Sequence, residues 1–399
     1  MKKWWILILA ILMCIGSTHA RAAQKKHILP KQSKQSGKGV AAKKSEEPFK
    51  SFIVVESTTG AVLDGENVHA RRAPASVTKI MTALVVLEKV SKGENTLADQ
   101  ITVTPDAARI GGSQVYLEAG EVFTLEEMMK AVMVASANDA AYAVAEHVAG
   151  SADAFVGLMN EKAKELNMAD TEFHSAHGLP PSKGQKEDFT SASDLVILAR
   201  EILKYPKIIE WTSIKSEGFR DGKFIMHNHN KLLTKMAGID GLKTGFYRET
   251  GFNVVATVKK GDLRFIAVVM GSPSAPIRDN VAMEKLKKAF GQLRMLSIVK
   301  KGEFVDKEVM LLDGKQRKLK GVASANFLYP VAVDKKGTIK KEIVMADKIK
   351  GDVKEGQKIG EMIITFDNRQ VGKVDVISPV HVPTANLFTR FIRRLGLNI

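Results

Sequence analysis

A serine and a lysine three residues apart, Ser76 and Lys79 in PASVTKIMTALVVL (residues 74–87), stand at the opening of an apolar helical pattern. Such a pair can carry acyl transfer. A serine hydroxyl is a weak nucleophile until a neighbouring base takes its proton, and a lysine is such a base once burial or a second cation lowers its pKa. A spacing of three puts both side chains on one helix face, and a helix N-terminus aims backbone N–H groups at developing negative charge. Two further groups follow along the chain. Ser136-Ala137-Asn138 lies between two apolar helical stretches, where a tight connection can aim a hydroxyl and an amide into a cleft. Lys243-Thr244-Gly245 follows Gly241 at an expected edge strand and supplies a cation, a hydroxyl and a glycine that lets a substrate backbone come close.

Context separates these motifs from chance copies. Ser297-Ile298-Val299-Lys300 repeats the serine–lysine spacing but closes a helical pattern with no apolar helix after it, which reads as a surface segment. Ser324-Ala325-Asn326 comes after Lys243, in a β-rich stretch, so both order and setting reject it. His227 and His229 have no third ligand at a diagnostic spacing and the chain has no H-E-x-x-H, so neither metal nor cofactor is expected. The chain also lacks G-x-S-x-G, which argues against an α/β-hydrolase serine.

The elements that must hold these groups follow from periodicity. SFIVVESTTGAVLDGEN, from Ser51, reads as a β-hairpin turning at Thr58-Thr59-Gly60. Helical patterns then cover residues 78–90, 124–134, 140–148 and 194–203, before strands return at FNVVATV and LRFIAVVMG around the turn Lys259 to Asp262. That order predicts an α+β domain over residues 51–296, in which an antiparallel sheet formed by the first and last hairpins carries a large helical insertion. A further helix over 277–296 would pack behind the sheet. Short β-type runs then make residues 297–381 a small all-β domain. In ANLFTRFIRRLGLNI, within 382–399, Leu387, Phe388, Phe391, Ile392 and Leu395 fall at helical spacing opposite Arg390, Arg393 and Arg394, the pattern of a basic helix that lies on an anionic membrane surface.

The N-terminus supplies the compartment. MKKWWILILAILMCIGSTHARAAQ has two lysines, an apolar run too short to span a membrane and small residues ending at Ala22, so residues 1–22 read as a signal peptide and the protein as exported to the periplasm or the cell-wall side of the membrane. The only cysteine, Cys14, lies inside it behind Met13, which excludes lipidation and leaves the exported chain without thiol chemistry. Residues 23–50, rich in Lys, Gln, Ser and Gly, form a flexible basic linker. The 399 residues carry a net charge of +16, which calls for an anionic partner. Nucleic acid is set aside, because the lysines are spread along an exported chain.

With RRAPASVTKIMTAL, GGSQVYLEAGE, SANDAA, HGLP, GLKTGF and GFNVVAT, the chain resembles the penicillin-recognising serine D-Ala-D-Ala carboxypeptidases, the low-molecular-mass penicillin-binding proteins, over residues 51–296. The resemblance implies a β-lactamase/transpeptidase-like fold and removal of the terminal D-alanine from peptidoglycan stem peptides, with β-lactams as inhibitors. It makes Ser76 the nucleophile, Lys79 its base and Ser136 a proton relay. Asn138 would hold the substrate backbone, and Lys243 and Thr244, with Gly245 beside them, would bind the terminal carboxylate. The backbone N–H groups of Ser76 and Phe246 would form the oxyanion hole. Phe246 stands where relatives often place histidine, and His229 where some carry arginine. Two other functions remain: a β-lactamase on the same fold, though Ala163 occupies the acid position of its E-x-x-L-N segment, and a non-catalytic cell-wall scaffold, which the intact motifs oppose.

Overall fold

β1 (Ser51–Glu56) is buried along its whole length and pairs antiparallel with β2 (Val62–Glu66) on one side. Its run Phe52 to Val55 can be apolar on both sides because both faces of the sheet are covered. A computed structural model of the chain describes residues 47–394, which lie within one compact unit. The expected signal peptide, most of the basic linker and Leu395 lie outside the described residues. The end of that linker is already part of the fold: Lys50 N donates to Met270 O and Ser272 Oγ donates to Pro48 O, so ordered structure begins before Ser51.

The insertion after β2 contains α1 (Lys79–Ser91), β3 (Gln100–Thr102), α2 (Pro105–Ala108), β4 (Val122–Thr124), α3 (Leu125–Lys130), α4 (Asn138–Ala149) and α5 (Ala152–Glu165). It continues with α6 (Ala192–Ile202), α7 (Pro206–Thr212), the hairpin β5 (Ser216–Phe219) and β6 (Phe224–His227), and α8 (Leu232–Lys235). The chain then completes the sheet with β7 (Ile239–Tyr247), β8 (Gly251–Lys260) and β9 (Leu263–Ser272), in the order β2-β1-β9-β8-β7. The antiparallel sheet and helical insertion expected from the sequence are both present.

Strand alternation divides the core. Phe52, Val54, Val254, Ala256 and Val269 face α9 (Ala275–Gln292), whose Ala282, Leu286 and Ala289 cover them. Ile53, Val55, Val255 and Val268 face the insertion. There α1 is buried from Lys79 to Leu87, the burial of a helix enclosed on every side. Being central, α1 is a rigid mount for what stands at its N-terminus.

Three local expectations change. The helix expected over 277–296 stops at Gln292, because Leu293–Val299 forms β10 and pairs antiparallel with a strand further on. Ser297 is therefore in a strand and not at a helix end, and its neighbours Ile298 and Val299 are buried. The helix expected over 124–134 ends at Lys130 and passes into a π turn, Ala131–Ala135.

The remaining strands are β11 (Phe304–Leu311), β12 (Lys318–Ala323), β13 (Phe327–Ala332), β14 (Ile339–Met345), β15 (Lys348–Ile349), β16 (Lys358–Phe366) and β17 (Arg369–Ile377). β13 is the partner of β10, and a six-stranded sheet runs β14-β16-β17-β12-β11-β15. Val305, Val309, Leu319, Ile364, Val374 and Val376 give this β-rich region a core of its own. α10 (Leu387–Arg394) follows. Among the described residues, no helix is long and apolar enough to cross a membrane.

Candidate active site

Ser76 sits in a 3₁₀ turn, Ala75–Thr78, that leads directly into α1. With three residues per turn, positions i and i+3 eclipse, so Lys79 lies directly behind Ser76. Its Nζ stands 3.2 Å from Ser76 Oγ. Lys79 is completely buried and makes two further contacts, 2.6 Å to Asn138 Oδ1 and 2.6 Å to the carbonyl of His177. Burial, reinforced by the charge of Lys243, holds the Lys79 amine well below the usual lysine range; the carboxylates of Asp139 and Asp188 oppose this and lose. A neutral amine has two N–H bonds and one lone pair. With both N–H bonds given to acceptor-only oxygens, the lone pair is left for the serine proton.

Asn138 opens α4 immediately after the π turn, and Ser136 between them adopts a left-handed backbone, φ 61° and ψ 27°. Such a conformation in a non-glycine residue is costly, and strain of this kind gathers at functional sites. Asn138 Nδ2 donates to Gly111 O at 2.8 Å, which fixes the amide so that Oδ1 meets Lys79. The next residue, Asp139, is buried and accepts hydrogen bonds from Val115 N and Leu117 N, tying residues 111–117 to α4.

The third wall is β7, an edge strand as expected. Lys243 is buried and its Nζ donates to Ser136 Oγ at 2.9 Å. Burial, with the nearby guanidinium of Arg278, lowers its pKa to about 7. Gly245 is required by close approach: a Cβ there would lie 2.5 Å from Pro74 O and 3.0 Å from Ser76 N. The backbone of β7 thus runs against the backbone N–H of Ser76. Phe246 is 53% exposed and stacks on Phe252, with ring centroids 4.1 Å apart. Although His229 is exposed, desolvation of its ring and the charge of Lys243 lower its pKa to about 4.

Hydrogen bonds therefore join Ser76, Lys79 and Asn138 in one group and Ser136 with Lys243 in another, and Thr244, Gly245 and Phe246 continue the strand beside Lys243. Several contributors were not assigned a role from the sequence. Asn253 is buried and its Nδ2 donates to Ala73 O and Pro74 O, while Thr250 Oγ1 donates to Ala73 O, so the approach to Ser76 hangs from β8 and the turn before it. Asp188 accepts from Thr78 Oγ1, His174 N and Ser175 N, clamping residues 174–188 so that the His177 carbonyl reaches Lys79. The signal for Asn253 was present: an amide inside the apolar run GFNVVATV must find partners when buried. Among the described residues, no group of three or more His, Cys, Asp or Glu side chains is placed to hold a metal ion. Ser324 and Asn326 lie in the β-rich region, where Asn326 Oδ1 accepts from Lys301 N.

Comparison with known proteins supplies the family. Residues 38–274 match the D-alanyl-D-alanine carboxypeptidase family, peptidase S11, and residues 294–384 match the penicillin-binding protein 5 C-terminal domain. The chain is 36% identical over 372 residues to the D-alanyl-D-alanine carboxypeptidase DacF of Bacillus subtilis, covering 91% of this chain and 93% of that protein. Among solved structures it resembles penicillin-binding protein 5 of Haemophilus influenzae, at TM-score 0.64 and 26% identity over 84% of this chain and 98% of that one. It also resembles penicillin-binding protein D2 of Listeria monocytogenes in its ampicillin-bound form, at TM-score 0.55 and 30% identity over 60% of this chain and 96% of that one.

Proposed function

The chain belongs to the D-alanyl-D-alanine carboxypeptidase family, and on that premise we propose how its three motifs divide the work of a serine carboxypeptidase acting on peptidoglycan stem peptides. The observation that carries the assignment is Lys79, buried and held between Ser76 Oγ, Asn138 Oδ1 and the His177 carbonyl.

The terminal carboxylate of a D-Ala-D-Ala peptide docks on Lys243 and Thr244 through charge-assisted hydrogen bonds. Ser76 Oγ then attacks the carbonyl carbon of the scissile peptide bond as its proton passes to Lys79. The oxyanion lies between the backbone N–H groups of Ser76 and Phe246, a position that the close approach of the Gly245 backbone to Ser76, which leaves no room for a Cβ, supports. The C–N bond breaks, and the leaving amine of D-alanine takes the proton through Ser136, which the 2.9 Å contact with Lys243 orients. Water attacks the acyl ester with Lys79 as base, and Ser76 is regenerated as the shortened peptide leaves. β-Lactams enter the same path, because their strained amide acylates Ser76 in place of the peptide.

Export through residues 1–22 delivers the enzyme to the wall side of the cytoplasmic membrane, and α10 tethers it to that anionic surface. Support for the tether is the exposure of Leu387, Phe388 and Phe391 on a helix that also carries arginines. The catalytic assignment is tested by intact-mass labelling with a fluorescent penicillin, together with D-alanine release from a defined pentapeptide. Ser76→Ala is expected to lose both. Label that persists in this variant, or that maps to Ser297, overturns the assignment.

A further inference from the structure

The loop that carries the His177 carbonyl to Lys79, residues 174–188, and the strand β7 both press on the Ser76 turn. A Cβ at Gly178 would overlap Ala75 O and lie 3.0 Å from Ser76 N, the same distance at which one at Gly245 would meet that nitrogen. Strand side chains alternate, and the register of β7 on β8 runs unbroken from Gly241 to Tyr247, so Lys243, Gly245 and Tyr247 share a face. Tyr247 therefore follows Gly245 on the side of the nucleophile, roughly 7 Å further along the strand. Its hydroxyl donates to Glu187 Oε1 at 2.5 Å, which bridges β7 to the loop.

Two adjacent residues anchor the loop in different directions. Asp188 accepts from Thr78 Oγ1 at the entry to α1, and Glu187 accepts from Tyr247 on β7. Between His177 and these anchors, residues 180–186 are exposed. Behind the loop, toward α4 and α5, lies a cavity of about 350 Å³ walled by Tyr142, Asp153, Val156, His174 and Gln185. That side of the loop lacks close packing, so its distance from β7 depends on its anchors. Burial, the bond to Glu187 and the carboxylates of Asp188 and Glu249 hold the Tyr247 phenol above the usual tyrosine range, which keeps it protonated and able to donate.

The mechanism above gives the substrate a direction along β7. Its terminal carboxylate meets Lys243 and Thr244 and its oxyanion meets the N–H of Phe246, so the leaving D-alanine lies toward Lys243 and the acyl part of the peptide toward Tyr247. Resting on that reading, we propose that Tyr247 and Glu187 are specificity-determining residues, whose hydrogen bond closes the acyl end of the cleft and limits the bulk accepted on the acyl side of the scissile bond. A group larger than the gap enters only when the bond opens, and that cost appears in its transition state. The same limit applies to the acylamino side chain of a penicillin, which stands where the acyl part of the peptide would.

The test compares acylation of Ser76 by two penicillins that share a nucleus and an amide, one with an acetyl side chain and one, oxacillin, with a bulky aryl side chain. Intact-mass time courses on the purified chain give the two rate constants. Wild type is expected to favour the acetyl compound. Tyr247→Phe and Glu187→Ala should each raise the oxacillin-to-acetyl ratio about fivefold, the net worth of one hydrogen bond. The double variant should go no further than either single one, and Glu187→Gln, which keeps an acceptor for the phenol, should keep the wild-type ratio. If the melting temperature falls and both penicillins slow in equal proportion, the bond is structural and the proposal is overturned. A ratio that moves in Tyr247→Phe but not in Glu187→Ala assigns the effect to the ring and overturns it as well, and a ratio that moves in Glu187→Gln assigns it to charge, with the same result. If neither penicillin labels Ser76 in the wild type, the catalytic reading fails and takes this proposal with it; labelling at Ser76 with a ratio that no variant moves overturns this proposal alone.

Discussion

Lys79 and Lys243 are both cut off from solvent and both have a lowered pKa, but the proposed mechanism asks them for opposite states: in it Lys79 accepts a proton, and Lys243 presents a charge to a carboxylate. The signs decide the pH profile. Because the Lys79 pKa lies well below its ordinary 10.5, its neutral fraction grows with pH on the acid side and acylation rises with it. Because Lys243 lies at about 7 in the free enzyme, its charge is lost as pH rises through 7, and carboxylate binding falls. A bound carboxylate favours the charged form and moves that loss upward. The expected kcat/KM profile for a D-Ala-D-Ala peptide is therefore a bell whose alkaline limb lies near 7, with the limb of kcat at higher pH. A thioester substrate without the terminal carboxylate should lack the limb; the same limb in both substrates would contradict the role given to Lys243. Replacing Lys79 by Arg, which keeps its proton, should slow β-lactam acylation by about 10²–10⁴-fold, the range expected for losing a general base. Stopped-flow labelling measures it, and near-wild-type acylation would remove Lys79 from the mechanism.

At the scale of elements, the nucleophile's position depends on a strand that is distant in sequence. Asn253 on β8 gives Nδ2 to Ala73 O and Pro74 O and takes Gly271 N, so one amide ties β9 to the chain that enters the Ser76 turn. Asn253→Ala strands these buried groups, at about 1–3 kcal/mol for each one left unsatisfied. The acylation rate constant should drop by about 10–100-fold through lost alignment. A purely structural role predicts a lower melting temperature with normal acylation of the molecules that remain folded, and that result would refute the positioning role. The contact also shows what the sequence could convey. Ser76 and Lys79 were legible because their geometry is local, set by one turn, and the edge position of Lys243 followed from the turn-bounded strands around it. The work of Asn253, of Asp188 and of the His177 carbonyl was not legible, since each acts across a long loop of chain and through pairings that spacing does not encode. The end of α9 failed for the same reason: residues 293–296 continue a helical pattern, but pairing of β10 with β13 over Leu293–Val299 prevails.

Across the whole molecule, chemistry and charge are placed in different regions. Every motif residue lies before α9, whereas residues 294–394 hold 21 lysines and arginines against 12 acidic residues. This excess is not needed to hydrolyse a small soluble peptide, and it lies in the same part of the chain as the exposed apolar face of α10. Surface attraction of this kind is screened within roughly 8 Å at physiological salt, so it acts only once the protein lies against an anionic layer. A chain ending at Pro383 should then hydrolyse a soluble D-Ala-D-Ala peptide at the wild-type rate and no longer sediment with phosphatidylglycerol vesicles. The full chain should sediment, and progressively less so as salt is raised. With a membrane-bound stem-peptide substrate the two should separate, the truncated chain turning over more slowly because it loses the local concentration that attachment provides. If the truncated chain sediments as well as the full one, attachment belongs to another segment, and the basic residues 23–50 become the region to remove next.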